Sequence, residues 1–142
     1  MVPREDRLDR LSDDVGILCE GSDHWTVDPV TANTPRSRKS KGAKFQKEIR
    51  ESILEHFDAL EPDDVKSAVM GESGMDIQLS PAAQKLFPFA VEAKRTEKIS
   101  LRQWWKQARA NSTDKLKPLV ITKQNREETL VVLSLQDFLE ML

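Results

Sequence analysis

The chain has one cysteine, Cys19, so it can form no internal disulfide and no cysteine-based zinc cage. Histidine is nearly as scarce: His24 sits near Cys19 without further ligands, and His56 falls near the end of an expected helix, where a cation suits the dipole. There is no tyrosine, and the five glycines form no phosphate-cradling loop. With G-x-S-x-G and H-E-x-x-H also absent, nucleotide-driven motors, serine hydrolases and zinc proteases are disfavoured. No apolar run approaches the roughly 18 residues of a membrane span. Arg4, Glu5, Asp6, Asp9, Asp13 and Asp14 interrupt the stretch that a secretory signal would keep apolar. These absences lead us to expect an intracellular, cytoplasmic protein with no membrane partner.

What is present is charge, unevenly placed. At 142 residues the length fits one domain, and the net charge of -2 hides a division. Residues 1–35 carry three basic and eight acidic side chains, a balance of -5, whereas 94–126 carry ten basic residues against Glu97 and Asp114, a balance of +8. A surface with that excess attracts polyanions, although charge runs are more often simply solvated faces. The acidic segment could fold over it and compete with a nucleic acid.

Residues 1–40, with three prolines and scattered polar side chains, predict a mobile arm. The domain is expected over 41–142. Phe45, Ile49, Ile53, Leu54 and Phe57 have the spacing of an amphipathic helix over Ala43–Phe57, which Pro62 follows. Strands are predicted at Lys66–Met70, Met75–Leu79 and Phe87–Lys94, with Pro88 marking an edge or bulge. A helix from Leu101 to about Ala110, strands at Pro118–Thr122 and Thr129–Leu133, and a last helix opened by Ser134 and Asp137 complete the order. The expectation is an α/β sandwich, αβββαββα, with a mixed central sheet flanked by helices.

The chemistry concentrates in Ala90-Val91-Glu92-Ala93-Lys94. The two-residue strand period puts Glu92 and Lys94 on one face. Such a pair can be a salt bridge of little consequence. It can also be half of a hydrolytic site, Glu92 helping to hold a divalent ion and Lys94 orienting water or stabilising charge at a phosphate. That reading needs another hard oxygen ligand, and Asp76, at the start of a strand that could pair with the Glu92 strand, supplies one. Mg²⁺ keeps several waters, so two or three carboxylates with the substrate's own phosphate suffice.

Gly74-Met75-Asp76-Ile77-Gln78-Leu79, fifteen residues between Asp76 and Glu92, and then Val91-Glu92-Ala93-Lys94 resemble the PD-(D/E)XK nuclease superfamily. More narrowly the chain resembles small phage-type Holliday-junction resolvases and endonucleases, in which a basic, glycine-containing segment leads into a first helix bearing a glutamate. Here that segment is S-K-G-A-K-F-Q-K-E-I-R, and the matching glutamate is Glu48. The residue before Asp76 is Met75, where the motif has proline. The similarity covers residues 40–142 and implies a restriction-endonuclease-like fold. It also implies Glu48, Asp76 and Glu92 around Mg²⁺, or Mn²⁺ in its place, Lys94 assisting the attacking water, and an inward glutamine on the next helix, Gln107 before Gln103. The implied substrate is DNA, with four-way junctions favoured. Two coordinated cuts would require a symmetric homodimer. A restriction-like or nicking endonuclease would share these residues, and a non-cleaving module on the same fold remains the alternative.

A nucleic-acid partner also follows from the helix at 101–110. On a wheel of 100° per residue Leu101, Trp104, Trp105 and Ala108 share one arc and Arg102, Lys106 and Arg109 another. The tryptophans are expected in the core or at a dimer contact, and the basic ridge is the candidate phosphate surface. Lys98, Lys115, Lys117 and Lys123 are expected to join it, and Arg36, Arg38, Lys39, Lys41 and Lys44 of the arm and the start of the first helix could track the same strand.

Overall fold

The structure is a computed structural model describing residues 34–69 and 71–142. Residues 1–33, which include Cys19 and His24, and Met70, expected to close the first strand, lie outside the described residues. The chain divides between Lys39 and Ser40 into two units. The described part of the first is the opening of helix α1; the remaining elements belong to the second.

Helix α1 spans Pro35–His56 and so begins well before the expected Ala43. Thr34 explains the difference. Its carbonyl accepts the Arg38 N–H at 3.0 Å and its hydroxyl the Ser37 N–H at 3.2 Å, while Pro35 occupies a first-turn position where no N–H is needed. Residues 35–40 are therefore helical and continuous with the first helix expected from Ala43; lysine and arginine are good helix formers once the end is capped. Phe45, Ile49 and Ile53 are buried along one stripe, as their spacing predicts.

Strands β1 (Val65–Ser67) and β2 (Ile77–Leu79) pair antiparallel with Val65 opposite Leu79. A helix not foreseen in the sequence follows, α2 at Pro81–Leu86. Its start was nevertheless written there: the Ser80 hydroxyl accepts the Ala83 N–H at 3.1 Å and Pro81 takes the first turn. Then come β3 (Phe89–Arg95), α3 (Leu101–Asn111), β4 (Lys117–Lys123), β5 (Leu130–Val132) and α4 (Leu135–Glu140). Ser134 caps α4 by accepting the Asp137 N–H, as expected.

Strands β3 and β4 are parallel and β5 is antiparallel to β4, giving a mixed three-stranded sheet in the order β3-β4-β5. The hairpin β1-β2 forms its own small sheet, so the single central sheet expected is split in two, and the element order gains α2. The alternation of β3 and β4 decides the layers. Phe89, Val91, Leu119 and Ile121 pack with Phe45, Ile49 and Ile53 of α1 and with Val65 and Ile77. Val120 faces the other way, onto Trp104 and Ala108 of α3. The molecule is α/β, a mixed sheet flanked by helices. Among the described residues no helix is long and apolar enough to cross a membrane.

Candidate active site

Asp76 lies one residue before β2, at the seam between the hairpin and β3. Its carbonyl accepts the Ala68 N–H at 2.8 Å, extending the β1-β2 pairing, and its own N–H donates to the Val91 carbonyl at 3.1 Å. Its Oδ2 accepts the Ala93 N–H at 2.7 Å. The carboxylate thus takes a ladder position on the free edge of β3, and main-chain bonds to both sheets fix where it stands. The preceding turn depends on Gly74, whose φ of 128° an L side chain rarely adopts.

Glu92 and Lys94 project from β3 on the same side as Val120, the register partner of Glu92. Glu92 is buried, and a buried carboxylate needs partners. Lys94 Nζ supplies one at 2.6 Å from Oε1. Asn111, in the last turn of α3, supplies another: its Nδ2 donates to the Gly74 carbonyl at 3.0 Å and reaches Glu92 Oε2 at 3.5 Å.

Burial holds the Asp76 carboxyl above the ordinary aspartate value, against the lowering effect of the Ala93 N–H. The charge of Glu92 raises it further, and Lys94 pulls it down. Two carboxylates therefore share a half-buried site and repel. A bound cation is what relieves such a pair, so the donor set fits a hard divalent ion that draws its remaining ligands from water and a phosphate. Among the described residues no three histidine, cysteine, aspartate or glutamate side chains converge on one metal position.

The sequence-selected residues divide accordingly. Asp76, Glu92 and Lys94 are brought together. Glu48 stands among other partners, with Oε1 3.7 Å from Arg95 and Oε2 4.0 Å from Lys123. Gln107 and Gln103 are exposed on α3. The residue of that helix that reaches Glu92 is Asn111, which the sequence reading missed. It lies seven residues after Trp104 and three after Ala108, on the buried stripe, and that spacing was the available signal.

Arg102, Lys106 and Arg109 are exposed while Trp104 and Ala108 are buried, so the two-sided character of α3 is as the wheel predicts. Lys98 and Lys115 are exposed as well, as are Lys39 and Lys44, whereas Lys41 is half-buried. Lys117 differs from the others. It is tied to Asp137 at 3.3 Å and to Glu140, clamping α4 to the start of β4.

Residues 28–141 match the model of the family described as "Phage putative PDDEXK endonuclease", and the chain belongs to that family, within the PD-(D/E)XK nuclease superfamily. No curated protein and no solved structure matches the chain.

Proposed function

We propose that this protein is a metal-dependent endodeoxyribonuclease that hydrolyses DNA phosphodiester bonds. The observation that carries the reading is the convergence of Asp76, Glu92 and Lys94 at the edge of β3, within a chain of an endonuclease family. Asp76 and Glu92 would hold the divalent ion, Mg²⁺ or Mn²⁺, which when bound polarises the phosphate and acidifies a water. Lys94, held beside Glu92, orients that water and offers positive charge to the oxygen on which charge develops. The Ala93 N–H keeps one Asp76 oxygen in place, and Asn111 ties the Gly74 turn to Glu92. The exposed ridge Arg102, Lys106 and Arg109, with Lys98 beside it in sequence, would contact backbone phosphates without reading sequence.

Four-way junctions are the substrate that the resemblance favours, and paired cuts there call for a homodimer. A non-cleaving DNA-binding module is the second reading; the placement of Glu48 against Arg95 and Lys123 favours it. Labelled four-way junction, single-stranded, linear and supercoiled DNA, incubated with wild type or Glu92→Ala in Mg²⁺ or chelator, separates these. Symmetric junction cuts lost in both controls support the resolvase, and cuts spread over duplex support a general endonuclease. DNA bound and never cut supports the module.

A further inference from the structure

Arg95 and Lys123 stand opposite each other in the register of β3 and β4. Each continues the alternation that sends Val91 and Ile121 toward the core beside α1. Like charges directly across a strand pair repel, so the position calls for an anion. Glu48 answers only in part. At 3.7 and 4.0 Å its oxygens are beyond the roughly 2.7–2.9 Å of a charge-assisted hydrogen bond, and one carboxylate faces two cations. Arg95 Nε is buried with no hydrogen-bond partner.

Other cations packed into the fold are satisfied differently. Arg50 donates to the Val65 and Pro62 carbonyls at 2.6 and 2.7 Å. Lys94 meets Glu92 at 2.6 Å, and Lys117 meets both Asp137 and Glu140. The side chains of Arg95 and Lys123 are 22% and 28% exposed and that of Glu48 is 44% exposed, so the carboxylate is the outer member and the one able to leave.

We propose that Arg95 and Lys123 form a binding site for a phosphate oxyanion, the phosphodiester of a nucleic-acid strand, and that Glu48 is the internal counter-charge which this phosphate displaces. A phosphate offers several oxygens in a tetrahedral array, matching the guanidinium fork and the ammonium together where one carboxylate does not. The nucleic-acid source of the phosphate rests on the nuclease reading; the anion site itself does not. On this account Glu48 gates a phosphate subsite and is no metal ligand.

The test uses the full chain in chelator, where cutting plays no part. Affinity for labelled duplex DNA is measured by anisotropy across a salt series for wild type, Glu48→Gln and Glu51→Gln, each with and without Lys123→Gln. Glu51 lies on the same helix, is exposed, and undergoes the same charge change, so it reports the general electrostatic effect. Glu48→Gln should tighten binding about fivefold more than Glu51→Gln and steepen the salt dependence by about one phosphate contact, and Lys123→Gln should remove that excess. Equal effects of the two glutamate variants, or an excess that survives Lys123→Gln, would overturn the proposal. So would Glu48→Gln protein that loses cutting with unchanged affinity in chelator, since that marks a metal ligand. Inorganic phosphate supplies the second arm, read as thermal stabilisation of Glu48→Gln that is absent once Lys123→Gln is added. If no variant binds DNA yet phosphate stabilises in this way, the anion site stands and the nuclease reading fails; if neither occurs, the site fails.

Discussion

Lys94 Nζ lies 2.6 Å from Glu92 Oε1, with the glutamate side chain 7% exposed and the lysine 26%. The pair is unequal, because removing the lysine strands a buried charge whereas removing the glutamate leaves an ammonium that can extend to water. Lys94→Ala should therefore destabilise the protein by about 1–3 kcal/mol, less than the loss of a fully buried partner because Lys94 reaches solvent. Glu92→Gln should cost less. Both should lower cutting by at least about 100-fold while DNA affinity in Ca²⁺ is kept. Urea unfolding and cleavage assays on the same preparations check this, and wild-type cutting by either variant would remove the pair from the mechanism.

Asp76 adds a pH dependence of definite sign. Its carboxyl is raised in the native state, chiefly by burial, so the folded protein holds that proton more tightly than the unfolded chain does. The stability linked to this group is complete below the ordinary aspartate value and is lost as pH rises through the raised native value. In chelator, wild type should lose stability across that window, and Asp76→Asn, which keeps an acceptor for the Ala93 N–H, should lose less. Activity should run the other way, falling as acid neutralises the carboxylate that on the proposed reading holds the cation. Urea midpoints against pH in chelator decide the first point; equal slopes for the two proteins would show that Asp76 contributes nothing.

Asn111 bonds the Gly74 carbonyl and approaches Glu92, so it ties the turn leading to Asp76 to the second carboxylate. On the proposed nuclease reading it acts through those groups as a positioning residue. If Glu92 holds the ion, Asn111→Ala should raise the Mg²⁺ concentration for half-maximal cutting by about 10–100-fold, the usual cost of removing a hydrogen-bond partner of a metal ligand, with little change in DNA affinity in Ca²⁺. Asn111→Gln, if it recovers part of that affinity, separates hydrogen bonding from packing. An unchanged Mg²⁺ requirement in Asn111→Ala would make the contact incidental.

The legible parts of this molecule are those governed by short-range rules. The spacing of Phe45, Ile49 and Ile53 gave the buried stripe of α1, and the alternation through Glu92 and Lys94 placed both on one face. The start of α2 was legible too, in Ser80 and Pro81, but a six-residue helix offers too little periodicity to show itself. Contacts between distant segments were not accessible to such rules. Asn111 meets Gly74 across 37 residues, and Glu48 faces Arg95 and Lys123 because of how α1 lies on the sheet. The +8 window illustrates the same limit. Its sum treats Lys94 and Lys117 as available to a partner, whereas the fold uses both internally.

That difference between free and engaged cations gives a paired test on α3 and α4. Arg102, Lys106 and Arg109 are exposed at helical spacing and on the proposed reading would meet phosphates, while Lys117 is bound to Asp137 and Glu140. Replacing the three ridge residues with glutamine should weaken DNA binding uniformly across sequences and reduce the slope of log affinity against log salt by about 3, roughly one unit per lost contact. Their thermal stability should stay near wild type, because exposed charges contribute little to folding. Lys117→Gln should do the reverse, leaving the salt slope intact and loosening α4. Hydrogen exchange would report this as faster exchange in Leu135–Glu140. An unchanged slope in the triple variant would move the phosphate surface off α3.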